Sequence, residues 1–255
     1  MRDPGIAITA FSPANDDVPW DRFDSDEYFW HNYGRLRADD AQIINIVGDF
    51  FAHCFDRRQP RSLANAIDVG SGTNLYPALA MLPFASRVTL FERSPSNRQW
   101  LIDTLSRPQP SWAEFWDVLA ADRPIYQLIR SPLDVLAERA RVTKGNVFAL
   151  EAGNYHLGTM FFVAESITTR DDEFRRATQN FIGSLAPGAP FAAAFMCRSD
   201  GYFVGSTFFP ACSIEIADVE SCLAPITRLR QIVSIPSNDL RDGYSGMIVA
   251  TGWKK

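Results

Sequence analysis

The chain has 255 residues, 46% of them hydrophobic and 22% charged, with a formal net charge of −5. That composition is globular and long enough to bury a substantial core, and it lacks the basic stripe of a nucleic-acid binder. It also lacks a run of ~20 apolar residues to span a membrane and an apolar leader after Met1-Arg2-Asp3, so a cytoplasmic location is expected.

The short basic clusters Arg57-Arg58, Arg228/Arg230 and Lys254-Lys255 read as solvated surface. Cys54, Cys197, Cys212 and Cys222 form no CxxC pair, and His31, His53 and His156 complete no zinc pattern. Reduced, structural cysteines and no metal are expected.

Residues 1–19, with Pro4, Gly5, Pro13 and Pro19, read as a loose arm. Six aromatics follow within 14 residues: Trp20, Phe23, Tyr28, Phe29, Trp30 and Tyr33. Acidic residues interleave them, as in a half-buried cover. Residues 36–55 have helical spacing, with Asp39-Asp40 at the start and Pro60 beyond the end. Ala64 to Val69 suits a buried parallel strand, followed by a short helix over 75–82 and a second strand, Val88–Phe91, ending in Glu92. Ser94 or Ser96 is placed to cap a helix through about 105.

Pro108, Pro110, Pro124 and Pro132 punctuate a helical insertion over 108–141. Strands are expected at Asn146–Leu150, Thr159–Ala164 and Phe191–Met196, with a helix from Asp171 to about 184 between the last two. Ile216–Leu223 reads as helix, and Arg228–Ile235 and Met247–Thr251 as strands joined by the polar link Pro236–Ser245, hence an antiparallel pair. Alternating strands and helices predict an α/β fold with a mainly parallel sheet. Residues 1–60 form the arm and lid helices, and 61–255 the α/β unit, within a single domain overall.

The informative segment is Ala66-Ile67-Asp68-Val69-Gly70-Ser71-Gly72. A strand enters a glycine turn that opens a helix, so the backbone can approach a ligand closely. Thr73-Asn74-Leu75 supplies no third glycine, which weakens a dinucleotide reading. Asp68 suits the ammonium of an amino-acid moiety better than a pyrophosphate. Glu92, 20 residues beyond Gly72, is placed to accept both hydroxyls of a ribose.

Asp68-Val69-Gly70-Ser71-Gly72, then Leu75-Tyr76, Glu92 and Asn97, resembles the class I S-adenosylmethionine-dependent methyltransferases. More narrowly it is similar to the nicotinamide, phenylethanolamine and indolethylamine (thioether) N-methyltransferases, over nearly the full length. Tyr28–Tyr33 with Gly34 resembles their tyrosine lid, Gly183-Ser184-Leu185 with Pro187-Gly188 the segment before their fifth strand, and Gly201–Gly205 their tyrosine-containing segment after it.

The resemblance implies a Rossmann-like fold: a seven-stranded, mainly parallel sheet with an antiparallel last strand, an aromatic N-terminal lid and the insertion around 108–141. It implies S-adenosylmethionine as cofactor. Tyr28 and Tyr33 would close over it, Gly70, Ser71 and Gly72 would pass under its amino-acid portion, and Tyr76 would contact it from the first helix. Glu92 would hold the ribose, Asn97 would lie beside ribose and adenine, Asn146-Val147 would flank the adenine, and Val163 and Ala164 would lie near the sulfonium.

One departure concerns the acceptor: Phe195 or Met196 stands where nicotinamide methyltransferase carries an acidic residue at the end of the fifth strand. Glu165, Tyr202 and Asp242 are the candidates for moving a proton, though Asp242-Gly243 equally reads as a hairpin turn. The expected activity is direct methyl transfer to a small molecule, foremost an amine or N-heterocycle, governed by proximity and orientation. O- or C-methyl transfer, and a cofactor-binding subunit without transfer, stay open, as does a homodimer or protein partner.

Overall fold

The computed structural model describes residues 14–56, 64–237 and 244–255. Residues 1–13 of the arm, Arg57-Arg58, Pro60 and Asp242-Gly243 lie outside them.

Two helices, α1 (Ser25–Asn32) and α2 (Ala38–Asp56), precede the sheet. Asp24 caps α1 by accepting the Glu27 N–H. Ile43, Ile44, Val47, Phe50 and Phe51 form the buried stripe of α2. Then come β1 (Ala64–Val69), α3 (Tyr76–Met81), β2 (Ala85–Glu92) and α4 (Pro95–Ser106), the last capped by Ser94. The insertion folds as α5 (Trp112–Ala120), α6 (Pro124–Gln127) and α7 (Pro132–Arg139), leading into β3 (Ala140–Lys144). The chain continues through β4 (Leu157–Phe161), α8 (Asp171–Ser184), β5 (Pro190–Cys197), β6 (Gly201–Val204), β7 (Thr207–Pro210), α9 (Ile216–Leu223), β8 (Thr227–Ile235) and β9 (Gly246–Lys254).

Seven strands form one sheet in the order β3-β2-β1-β4-β5-β9-β8, and β6 and β7 form a separate hairpin. β1 to β5 pair in parallel, and β9 runs antiparallel to both β5 and β8. This is the expected α/β architecture with its antiparallel last strand. Alternate residues face opposite layers. In β5, Ala192, Ala194 and Met196 face the layer holding α2, α3 and α5, while Phe191, Ala193 and Phe195 face α8 and α9.

Arg123 fastens the insertion. Its guanidinium donates to the Val118 and Leu119 carbonyls, to Asn45 and to Asp49, tying the end of α5 to α2.

Three expectations need correction. The strand foreseen at Asn146–Leu150 is a 3-10 turn, Val147–Ala149, whose apolar residues lie against α8; the Asn180 amide donates to the Val147 carbonyl at 3.2 Å. The strand beside β2 is instead the polar edge segment Ala140–Lys144. β4 ends at Phe161, short of Ala164, because Phe162 adopts φ +59°. Finally, residues 14–19 are not loose. Asn15 begins a 3-10 turn, is buried, and donates its N–H to the buried Glu173 carboxylate at 2.8 Å. The hairpin β6–β7 was not foreseen.

Candidate functional site

At the carboxyl end of β1 the chain turns at Gly70 (φ +67°) and Gly72 (φ +54°), conformations that glycine adopts without steric cost. The two glycines serve different ends. A Cβ on Gly70 would stand 2.5 Å from a methyl of Val163, so this position is closed by protein. A Cβ on Gly72 would make only ordinary contacts, with the Gly70 carbonyl oxygen at 3.8 Å and the Asn97 amide at 4.0 Å, so protein does not close this position.

Glu92, at the end of β2, is 6% exposed. One carboxylate oxygen accepts the Gly72 N–H at 2.8 Å and the other accepts the Ser94 N–H at 2.7 Å. Burial raises its pKa, and those N–H groups oppose the rise. The Asn97 side chain and the Arg93 N–H also oppose it.

These residues border a cavity at the carboxyl ends of β1 and β2. Gly70 to Gly72 line one side of it, with Glu92 and Asn97 beside them. Phe91, Asn146 and Val147 line another side, and Trp20, Phe23, Tyr28 and Tyr202 cover it. Gly145 is required there, since a Cβ would run into the Phe91 ring at 1.8 Å. The cover has its own small core, in which Val18, Phe23, Tyr202, Val204 and Phe209 pack together, so the hairpin β6–β7 holds the lid from behind.

Of the residues singled out from the sequence, Tyr28, Tyr33, Gly70, Ser71, Gly72, Glu92, Asn97, Asn146, Val147, Val163 and Tyr202 border this one cavity. Asp68, Tyr76, Ala164 and Glu165 do not. Asp68 alternates with Ile67 and Val69 and so points into the α3 layer, where it accepts the Thr159 hydroxyl at 2.7 Å. Burial pushes its pKa up to about 7. Tyr76 is wholly enclosed, stacked on Phe115 with ring centroids 5.7 Å apart. Ala164 sits in the opposite core with Val163. Glu165 turns inward, accepting the Met196 N–H at 2.9 Å and the Ser166 hydroxyl at 3.2 Å. Asp242 lies outside the described residues. His31, His53 and His156 are exposed and away from the cavity.

Several bordering residues carried no sequence signal. Asn15 reaches the cavity because Glu173 and the Trp20 indole hold it, the indole N–H donating to its side-chain oxygen at 3.0 Å. A seam of hydrogen bonds joins the lid to the first turn of α4: Ser94 to the Trp20 carbonyl, Ser96 to the Phe23 carbonyl, and Ser25 to Asn97. Phe162 borders the cavity with a left-handed backbone, an outlier for a bulky residue. Such strain persists where the surroundings hold it, and it clusters at functional sites.

No family model matches the chain, and no curated protein matches it. Solved structures share its fold. The N-methyltransferase NodS from Bradyrhizobium japonicum WM9, in complex with S-adenosyl-L-homocysteine, is 11% identical over 94% of this chain and 89% of its own, with a TM-score of 0.51. A SAM-dependent methyltransferase from Methanosarcina mazei is 11% identical over 86% of this chain and 98% of its own, at 0.56. The mitomycin 7-O-methyltransferase MmcR is 12% identical over 84% of this chain and 54% of its own, at 0.51. The architecture is therefore that of a Rossmann-like methyltransferase.

Proposed function

We propose that this protein is an S-adenosylmethionine-dependent methyltransferase acting on a small molecule, foremost an amine or N-heterocycle. The observation that carries the proposal is the Glu92 carboxylate. It is fixed by the Gly72 and Ser94 N–H groups and faces a cavity bordered by an open glycine backbone. Two oxygens so held match the two hydroxyls of a ribose, and the absent third glycine argues against a dinucleotide. NodS, of the same fold, holds S-adenosyl-L-homocysteine.

The residues present fit the cofactor. Gly70 to Gly72 would hold its amino-acid end and Asn97 and Glu92 its ribose, while Phe91, Val147 and Asn146 would flank its base. When bound, it supplies a methyl group already activated on a sulfonium. The protein's own task is then orientation and exclusion of water. Tyr28, Phe23, Trp20 and Tyr202 cover the cavity, and Phe162 and Val163 shape its far end. Glu165 has no part in proton movement on this reading, because it lies away from the cavity, with one carboxylate oxygen accepting both the Met196 N–H and the Ser166 hydroxyl.

Calorimetric titration with S-adenosylmethionine and S-adenosylhomocysteine tests the proposal, together with transfer of labelled methyl to a panel of amines. Micromolar binding that weakens by about 1.5–3 kcal/mol in Glu92→Ala is the expected outcome. No uptake at millimolar concentration would end the proposal. Binding with no transfer to any acceptor would favour a cofactor-holding subunit. The apolar Met196 at the end of β5 is the observation on that side.

A further inference from the structure

A second, smaller cavity lies beyond Tyr28 and Tyr33, which border both spaces together with Phe162 and Ser166. Its position follows from the sheet. The larger cavity stands over the ends of β1, β2 and β4, whereas this one is bordered by Met196 at the end of β5 and Met247 at the start of β9. The two meet at Phe162, where β4 ends.

Among the described residues one carboxyl faces this space, amid aromatic and thioether side chains and the polar Asn32, Arg37 and Ser166. Asp40 is 3% exposed and borders the cavity from the first turn of α2, with the Tyr76 hydroxyl as the hydrogen-bonding side chain beside its carboxylate. The charged and titratable groups around it are accounted for. Arg37 enters the cavity from the segment before α2, with its Nε 4.0 Å from an Asp39 oxygen. Asp39 accepts the Asp40 N–H at 2.8 Å and the Ser237 hydroxyl, and Ser237 bonds Tyr244 in turn. Tyr33 packs edge-on against Tyr76 of α3, whose buried hydroxyl faces Asp40 and favours its charged form.

A buried carboxylate held by one hydroxyl keeps acceptor sites unfilled, which is costly, and a ligand that donates to them removes the cost. Asp39 is engaged by the Asp40 N–H and Ser237, so Asp40, which faces the cavity, is the group with sites left for a guest. We propose that the second cavity is the acceptor chamber and that the Asp40 carboxylate is its nitrogen-binding group, receiving the N–H of the amine or N-heterocycle that is methylated. This rests on the methyltransferase reading. As the acceptor nitrogen forms its bond to the methyl carbon, the electron pair of the broken carbon–sulfur bond stays on sulfur. An acceptor that arrives as its ammonium first gives one N–H proton to the Asp40 carboxylate, which frees the nitrogen lone pair for attack; the neutral carboxyl later returns the proton to solvent. Burial foremost, with the neighbouring Asp39 charge, pushes the Asp40 pKa up to about 7, which suits a group that must both take and release a proton near neutrality.

The test uses the full chain saturated with S-adenosylhomocysteine and titrated with benzylamine, tryptamine and 4-aminopyridine, with benzyl alcohol as the uncharged control. Asp40→Asn is expected to lower amine affinity about 10- to 100-fold. It should leave the homocysteine compound and benzyl alcohol within about twofold. In the wild type, benzylamine stays protonated between about pH 5.5 and 8. Its affinity should therefore rise as Asp40 ionises, with a midpoint near 7. That profile needs no variant and stands even if Asp40→Asn fails to fold. Equal amine affinity in wild type and Asp40→Asn overturns the assignment, as does a flat wild-type profile, or no amine binding at about 10 mM. Failure to bind S-adenosylhomocysteine would instead overturn the methyltransferase reading itself.

Discussion

The Ser25 hydroxyl donates to the Asn97 side-chain oxygen at 2.7 Å, joining the start of the lid helix α1 to the first turn of α4. Ser25 is itself buried, so the bond is shielded from water. It couples the cover of the cavity to a residue of its wall, 72 positions away in sequence.

Removing that bond with Ser25→Ala should cost about 1 kcal/mol and lower Tm by about 2–4 °C. Its sharper effect should be on residues 20–33, whose amide exchange should quicken without cofactor, while S-adenosylhomocysteine leaves several-fold faster. Exchange in the lid equal to wild type would show that the seam does not hold it.

Gly70 and Gly72 should respond differently to the same substitution. Gly70→Ala combines a positive φ with a Cβ 2.5 Å from Val163, and should lose about 2–4 kcal/mol in urea denaturation. Val163→Ala added to it should recover part of the loss, a coupling expected of touching residues. Gly72→Ala meets only ordinary contacts and should lose about 1–2 kcal/mol from its backbone, while weakening cofactor binding more than its stability change explains. Equal losses at the two positions would contradict the geometry.

Phe162 separates the two cavities at the cost of a left-handed backbone. Asn visits that conformation more readily. Phe162→Asn should therefore stay within about 1 kcal/mol of wild-type stability, since backbone relief offsets lost contacts of a half-buried ring. Acceptor KM should rise with the cofactor Kd little changed. A large drop in Tm would mark the ring as core instead.

The pH dependence of stability should carry the mark of Asp68. Its pKa is 3.8 in a free chain and about 7 when folded, because burial disfavours the charge. The folded state thus holds an extra proton across that interval, and stability present below pH 4 is lost as pH rises through 7. Asp68→Asn can still accept from Thr159 without the buried charge. It should flatten the Tm curve between about pH 5 and 8 and gain up to a few kcal/mol on wild type at the alkaline end. Parallel curves would place the titration elsewhere, with Asp40 the next group to test.

The sequence was most legible where signals are local. Ala64–Val69 reads as a buried strand, its glycine turn follows at once, and Glu92 closes the next strand. Asp40 was not legible as a site residue, because acidic side chains are ordinary in the first turn of a helix and nothing in α2 shows that one faces a cavity. Asp68 was misread in direction. Its place in the motif suggested a ligand contact, but strand alternation turns it into the core. The Phe162 conformation, the β6–β7 hairpin behind the lid and the anchoring of Asn15 by Glu173 all depend on partners far away in the chain. Polar Ala140–Lys144 lost to apolar Asn146–Leu150 as a strand forecast because the edge of a sheet tolerates exposed side chains, while a turn packed on a helix does not.

The Ser94, Ser96 and Asn97 bonds to the lid bear on tempo as well as shape. On the proposed reading, a guest under Trp20, Phe23 and Tyr28 lies beneath a flap pinned by these stitches, which sit on the helix that follows the Glu92 strand. Release of a spent guest is then expected to quicken as stitches are cut, its pace following the opening of the flap.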